Sequence, residues 1–306
     1  MTIILRVLGG LALASVGFYF VALGLTFAPG GEEWAERFRP LSPFVMYVPF
    51  MLLLVYLWAR VQLGPWLLRR GELDEAQAYA TQGVRYSFWL RSKREVLINR
   101  IVLGRVHMVR GELDAARAAL FPENLGQLVR ARGVAGEALS LARWQAEVLL
   151  RSNDLAGARA VIQGAPKVER PKEERAGLLS AHAELALRCG ELEQARELAE
   201  RARWTAPESW APWLALALVD HGRGVITEKS LKRLVRSLEP VAHHLPGRLG
   251  ELELVHAEML EELGRSEEAA EARARALAEV DSGRADVRSA LLVHQRLGAV
   301  REDEEE

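Results

Sequence analysis

"LLRRGELDEAQAY", residues 67–79, is answered by "MVRGELDAARAAL" at 108–120 and by "LRCGELEQARELA" at 187–199. The repeated element is a glycine, then an acidic residue, then an alanine. Gly71, Gly111 and Gly190 anchor the plain cases. Asn153 in "SNDLAGA" and Gly264 in "LGRSEEA" obey the same grammar. Each of these five anchors has an alanine five residues later: Ala76, Ala116, Ala158, Ala195 and Ala269. Each has a small residue seven before: Gly64, Gly104, Ala146, Ala183 and Ala257. Gly224 is a sixth anchor with Ala217 seven before it, although Lys229 replaces the downstream alanine. Successive anchors stand 40, 42, 37, 34 and 40 residues apart.

The physics is that of a helix–turn–helix. Glycine or asparagine accepts the left-handed backbone that ends the first helix. Carboxylates in the first turn of the second helix suit its dipole. The small residue and the alanine let the paired helices approach. A lone pair of this kind leaves an apolar face uncovered, so neighbouring pairs must stack.

The spacing and the small-residue positions resemble the tetratricopeptide repeat, as do Pro207 after "GELEQA" and Trp213 early in the next unit. The resemblance covers about Leu57 to Val280. It implies an all-α solenoid of about six helix–turn–helix units. The units are longer than the 34-residue standard, so HEAT-like repeats of about 40–47 residues stay open. The fifth unit is irregular: "ITEKSLKRLVRSLEP" reads as a helix capped by Thr227 with Leu231, Leu234, Val235 and Leu238 inward. Val287 to Leu297 reads as a capping helix ending at Gly298, and residues 301–306, "REDEEE", as an acidic disordered tail.

Residues 1–63 read as a membrane domain. Ile3 to Phe27 is apolar apart from Arg6, and a second apolar run extends over 44–63. Each is long enough for a transmembrane helix, which needs about 20 residues. A cleaved signal peptide is the rival for the first, but no A-x-A site follows it. Gly10, Ala14, Gly17 and Gly24 form a small-residue stripe that packs either on the second span or on another membrane protein. Arg6, Arg60, Arg69 and Arg70 flank the spans, against Arg37 and Arg39 between them. That bias predicts a bacterial inner-membrane protein with both ends, and the 64–300 array, in the cytoplasm.

A net charge of −1 over 306 residues argues against a nucleic-acid binder, which needs a basic surface. No phosphate loop, HExxH, paired-cysteine or GxSxG motif occurs, so no enzyme activity, cofactor, metal or small-molecule substrate is expected. His243, His244, His256 and Glu258 read as a loop pair and a packed helical residue rather than a metal set. Cys189 reads as a buried structural thiol.

In tetratricopeptide arrays the first helices line the concave side. The resemblance therefore implies a partner-binding groove that includes Arg105, Arg143, Glu147, Arg151, Glu184, Arg188 and Leu218. The chaperone-tail binders of that family use a Lys and Asn clamp, and neither residue occurs at these positions. A basic and aromatic segment with Arg85, Trp89, Arg91, Lys93 and Arg94 either touches anionic headgroups of the bilayer or forms an inter-repeat loop. Lys229, Lys232, Arg233 and Arg236 read as a solvated stripe. The expected function is a membrane-anchored scaffold that binds protein partners. The alternative is an accessory or regulatory subunit of a membrane enzyme or transport complex, engaged through the transmembrane helices.

Overall fold

The structure is a computed structural model that describes residue 51 and residues 63–89, 92–283 and 285–304. The chain divides into two compact units, Met1–Ser87 and Phe88–Glu306. Within the first, a helical stretch over 63–69 turns at Gly71 into α1 (Leu73–Trp89), which runs to the boundary.

The second unit is built from helical hairpins. They are α2 (Lys93–Val109) with α3 (Leu113–Leu120), α5 (Ala135–Arg151) with α6 (Leu155–Gly164), and α7 (Lys172–Arg188) with α8 (Leu192–Thr205). Then come α9 (Trp210–Gly222) with α10 (Glu228–His244), and α11 (Leu249–Glu262) with α12 (Ser266–Asp281). A short α4 (Leu125–Val129) follows α3 and accounts for the longest anchor spacing. A single 3-10 turn, Pro246–Arg248, joins α10 to α11, and α13 (Val287–Glu304) closes the array.

The anchors do what their residue types require. Gly71, Gly111, Asn153, Gly190, Gly224 and Gly264 all have positive φ, between 57° and 77°. At Gly111 the following amide, Glu112 N–H, reaches back to His107 O at 2.9 Å, and Gly111 N–H donates to Met108 O at 3.1 Å. That pair of bonds satisfies carbonyls that the helix end would leave orphaned. The other five turns repeat it.

The small residues sit at the helix crossings. Ala146, Ala183, Ala217 and Ala257 are fully buried, as are Ala76, Ala116, Ala158, Ala195 and Ala269. At Gly104 a Cβ would collide with the Leu120 side chain. The alanine is the fourth residue of each second helix, and in α10 that place is taken by Leu231. The irregular helix starts two residues later after its anchor, under a capping box between Thr227 and Ser230. Leu231 and Leu234 are buried and Leu238 packs on the core, whereas Val235 is exposed. The inward row is thus 231, 234, 238 and Val241.

At the end of the array, Val293 packs between Leu254 and Ala276. Helix α13 runs through Gly298 to Glu304 instead of stopping, because a glycine weakens a helix without ending it.

The membrane reading is corrected. Among the described residues no helix is long and apolar enough to cross a membrane. Helix α13, the longest, has 18 residues and carries Arg288, Arg296, Arg301, Glu302, Asp303 and Glu304. A span needs about 20 predominantly apolar residues. The expected spans, about 3–27 and 44–63, lie outside the described residues except for Met51 and Leu63. What is described is an all-α helical repeat, and neither two transmembrane helices nor an inner-membrane location with a cytoplasmic array belongs to it.

Ala183→Leu should lower stability by about 1–3 kcal/mol, because the added atoms overpack a closed helix crossing. Urea denaturation followed by circular dichroism measures this, and an unchanged midpoint would show that the crossing is not tight.

Candidate functional site

The expected groove residues lie on the first helices of the hairpins, and the structure brings most of them together around a residue the motif analysis missed. Helix α2 touches α10 and the 3-10 turn, so the ridge of first helices curls back on itself. The 3-10 turn delivers Arg248, 3% exposed, into its middle. Arg248 Nη2 donates to Glu184 Oε2 at 2.6 Å, and its Nη1 lies 3.7 Å from Glu147 Oε1. Arg188 pairs with the other oxygen of Glu184 and donates to Leu150 O at 2.6 Å.

Arg151, equally buried, completes the network. Its Nε donates to Glu147 Oε1 at 3.2 Å and its Nη1 to Asp286 Oδ2 at 2.8 Å. Asp286 also caps α13 by accepting from Ser289 N–H at 2.8 Å, and its own N–H donates to Gly247 O at 2.9 Å. Glu251, its N–H on Ser289 Oγ, lies 3.5 Å from Arg288. Four guanidiniums (Arg151, Arg188, Arg248, Arg288) thus face four carboxylates (Glu147, Glu184, Glu251, Asp286). Buried charges are tolerable only in such matched sets.

The shifts follow from this geometry. Burial alone would raise the Glu184 pKa, but Arg248, then Arg188 and Arg151, hold it well below the usual carboxylate range. Burial opposes the Arg248 charge, yet Glu184, Glu147 and Glu251 raise its pKa above the ordinary arginine value. Arg188 is lowered, burial outweighing a Glu184 carboxylate that it shares with Arg248.

Arg105 and Arg143 lie elsewhere on the ridge. Their guanidiniums both lie over the buried Trp144 ring, 4.5 and 4.8 Å from its centroid. Arg143 also donates to Glu174 at 3.0 Å across Gly177, where any Cβ would strike the guanidinium. Arg105 reaches His244 Nδ1 at 3.4 Å. His243 and His244 are the last residues of α10, not a loop, and His244 stacks on Trp210. His256 pairs with Glu253, and Glu258 with His221 at 2.8 Å and with Arg296.

What stays open is one end of the ridge. Between α7, α9, α11 and α13 lies a cavity of about 260 Å³. Leu187, Leu218, Leu254, Val255 and Leu292 supply its apolar wall; Arg188, Arg248, Arg288 and Arg296 supply cations, and His221 an imidazole. Arg248 Nε, Arg288 Nε and Glu251 Oε2 have no hydrogen-bond partner among the described residues. About 150 Å³ is enough for a benzene-sized group. The cavity therefore has room for a side chain, between an aliphatic wall and a set of arginines. Of the expected groove residues, Glu184, Arg188 and Leu218 reach this cavity; Arg105, Arg143, Glu147 and Arg151 do not.

The basic segment is dispersed. Arg85 is exposed on α1, Trp89 ends α1, and Arg91 lies outside the described residues. Lys93 and Arg94 open α2, where Arg94 pairs with Glu137 at 2.6 Å. Cys189 is exposed, because it caps α7 directly before the Gly190 turn; Arg159 lies 3.4 Å from its sulfur. No periodic signal pointed to Arg248, Asp286 or Arg288. The one available clue was that Arg143, Glu147, Arg151, Glu184 and Arg188 share one face and need partners.

No family model matches the chain, and no curated protein matches it. Among solved structures it is similar to "Assembly Chaperone of RpL4 (Acl4) (Residues 1-338)" at 20% identity and a TM-score of 0.35, over 81% of this chain and 98% of that one. A likeness of that size carries no argument about site or partner.

His244 gives a pH dependence. Burial, then Arg105, His243 and Arg143, depress its pKa from 6.5 to about 4. The unfolded chain therefore binds this proton first, and the associated stability, complete above 6.5, is lost as pH falls toward 4. His182, also depressed by burial, adds to the slope. Urea midpoints measured at about pH 7 and about pH 5 should differ less in His244→Phe than in the parent. An identical difference would show that His244 titrates normally in the fold.

Proposed function

We propose that this chain is a protein-binding scaffold of the tetratricopeptide type, whose partner presents an apolar side chain to the cavity between α7, α9, α11 and α13. The observation that carries this reading is the cavity itself. It is a part of the first-helix ridge that the chain's own ion network leaves open, and it joins an aliphatic wall to the side chains of Arg188, Arg248, Arg288 and Arg296. An extended segment fits such a site through one buried apolar anchor with polar groups around it.

Binding rather than catalysis suits the electrostatics. Glu184 is held ionised far below neutral pH and is shared between two arginines, so it is poorly placed to move protons. Glu258 is likewise held down despite burial, by His221 and Arg296.

Peptides selected against the full chain from a display library should bind Leu292→Trp at least about tenfold more weakly, because the indole fills the cavity from α13. Helix content and melting should stay unchanged, since Leu292 is only partly buried. Equal binding to the parent and to Leu292→Trp would place the partner elsewhere.

A further inference from the structure

A second surface shares no residue with the cavity. Helix α8 carries Arg203 and Trp204 in its last turn, and Trp204 is 78% exposed, the most exposed large apolar side chain among the described residues. The Arg203 guanidinium lies 5.1 Å from the Trp204 ring centroid and 5.9 Å from that of Trp213 on α9. Arg233 and Arg236 of α10 each lie 5.9 Å from the same Trp213 ring. Three guanidiniums thus surround one indole, which Pro207 O fixes by accepting from Nε1–H at 2.8 Å.

Like charges gathered this closely repel. Asp220 neutralises Arg233 at 2.8 Å. Arg203 and Arg236 have no carboxylate within ion-pair distance among the described residues, and neither have Lys229 and Lys232, which extend the stripe along α10. Tryptophan and arginine are the side chains that dominate binding hot spots. Here both types lie at the surface on rigid helices.

We propose that this surface binds a short acidic polypeptide segment. Guanidiniums take carboxylates in fork geometry, and the two indoles exclude water from those pairs. The stripe is short: residues 229–236 span about 10 Å of helix. Glu228 and Glu239 bracket it along α10, so any anionic partner that binds here must be short. A chain with a net charge of −1 also lacks the long-range basic field that nucleic acids require. A few carboxylates beside an apolar residue match what is exposed.

The test uses the full chain and a fluorescein-labelled oligoglutamate peptide, read by anisotropy. The parent should bind it saturably and lose affinity as salt shortens the screening length from about 10 Å at 0.1 M to about 3 Å at 1 M. Arg203→Glu with Arg236→Glu should weaken binding at least about tenfold, and Trp204→Ala should weaken it with little change in the salt slope. These positions are surface ones, so circular dichroism should show an intact fold. Lack of saturable binding, or equal binding by the double variant, overturns the proposal. So does tighter binding, through the same residues, of an oligonucleotide of equal charge or of anionic vesicles. The cavity plays no part in this measurement, so Leu292→Trp should bind the peptide as the parent does.

Discussion

A guanidinium taken out of water must be matched by carboxylates, and the array has two that are almost wholly enclosed, Arg151 and Arg248. Neither is fully satisfied within its own hairpin, where Arg151 has only the bond to Glu147. Arg248 arrives from the turn before α11 and finds Glu184 on α7 and Glu147 on α5. Arg151 leaves α5 and finds Asp286 at the start of α13. Stacked hairpins on their own fix only nearest neighbours. These ion pairs connect hairpins that are not neighbours, and so fix how far the array curls. Ion pairs of this kind add little net stability over an apolar core, but they forbid alternatives that would strand a charge.

The same constraint governs where a partner can bind. In an open solenoid the whole row of first helices is available. Here Arg105, Arg143, Glu147 and Arg151 are engaged by Trp144, Glu174, Arg248 and Asp286. Among the described residues the chain occupies much of its own ridge, leaving the cavity beside α13 and a small one of about 20 Å³ beside Trp144. The Trp204 and Trp213 surface escapes because it is built from helix ends and from the outer stripe of α10, where nothing in the array must close.

The turns are legible in sequence because left-handed backbone restricts the residue to Gly or Asn, and because a tight crossing restricts its neighbours to Gly or Ala. Six anchors can be read on those two rules, with both small partners for all but Gly224. Closure cannot be read this way. Arg151 and Asp286 stand 135 positions apart, and such a pair leaves no periodic trace. Face counting put the ridge charges on one open surface, since nothing local says that Arg248 will cover Glu147 and Glu184. Val235 and the continuation of α13 past Gly298 fail for a smaller reason: two adjacent positions compete for one inward row, and a single glycine does not end a helix whose neighbours favour it. The membrane expectation rested on the apolar runs of residues 1–63, which lie almost wholly outside the described residues, while every described helix carries charge or is too short.

The closure claim is tested most directly by a double-mutant cycle on Arg151 and Asp286, using Arg151→Met and Asp286→Asn. Asparagine keeps the cap on Ser289 N–H and removes the charge, with an amide NH2 in place of the oxygen that accepts from Arg151. Each single change should cost about 3–5 kcal/mol in urea unfolding, since it strands a buried partner. The double variant should cost less than the sum, with a coupling of about 1 kcal/mol or more. Single losses within about 0.5 kcal/mol, adding without coupling, would contradict the account and mean that the array curls without this ion pair.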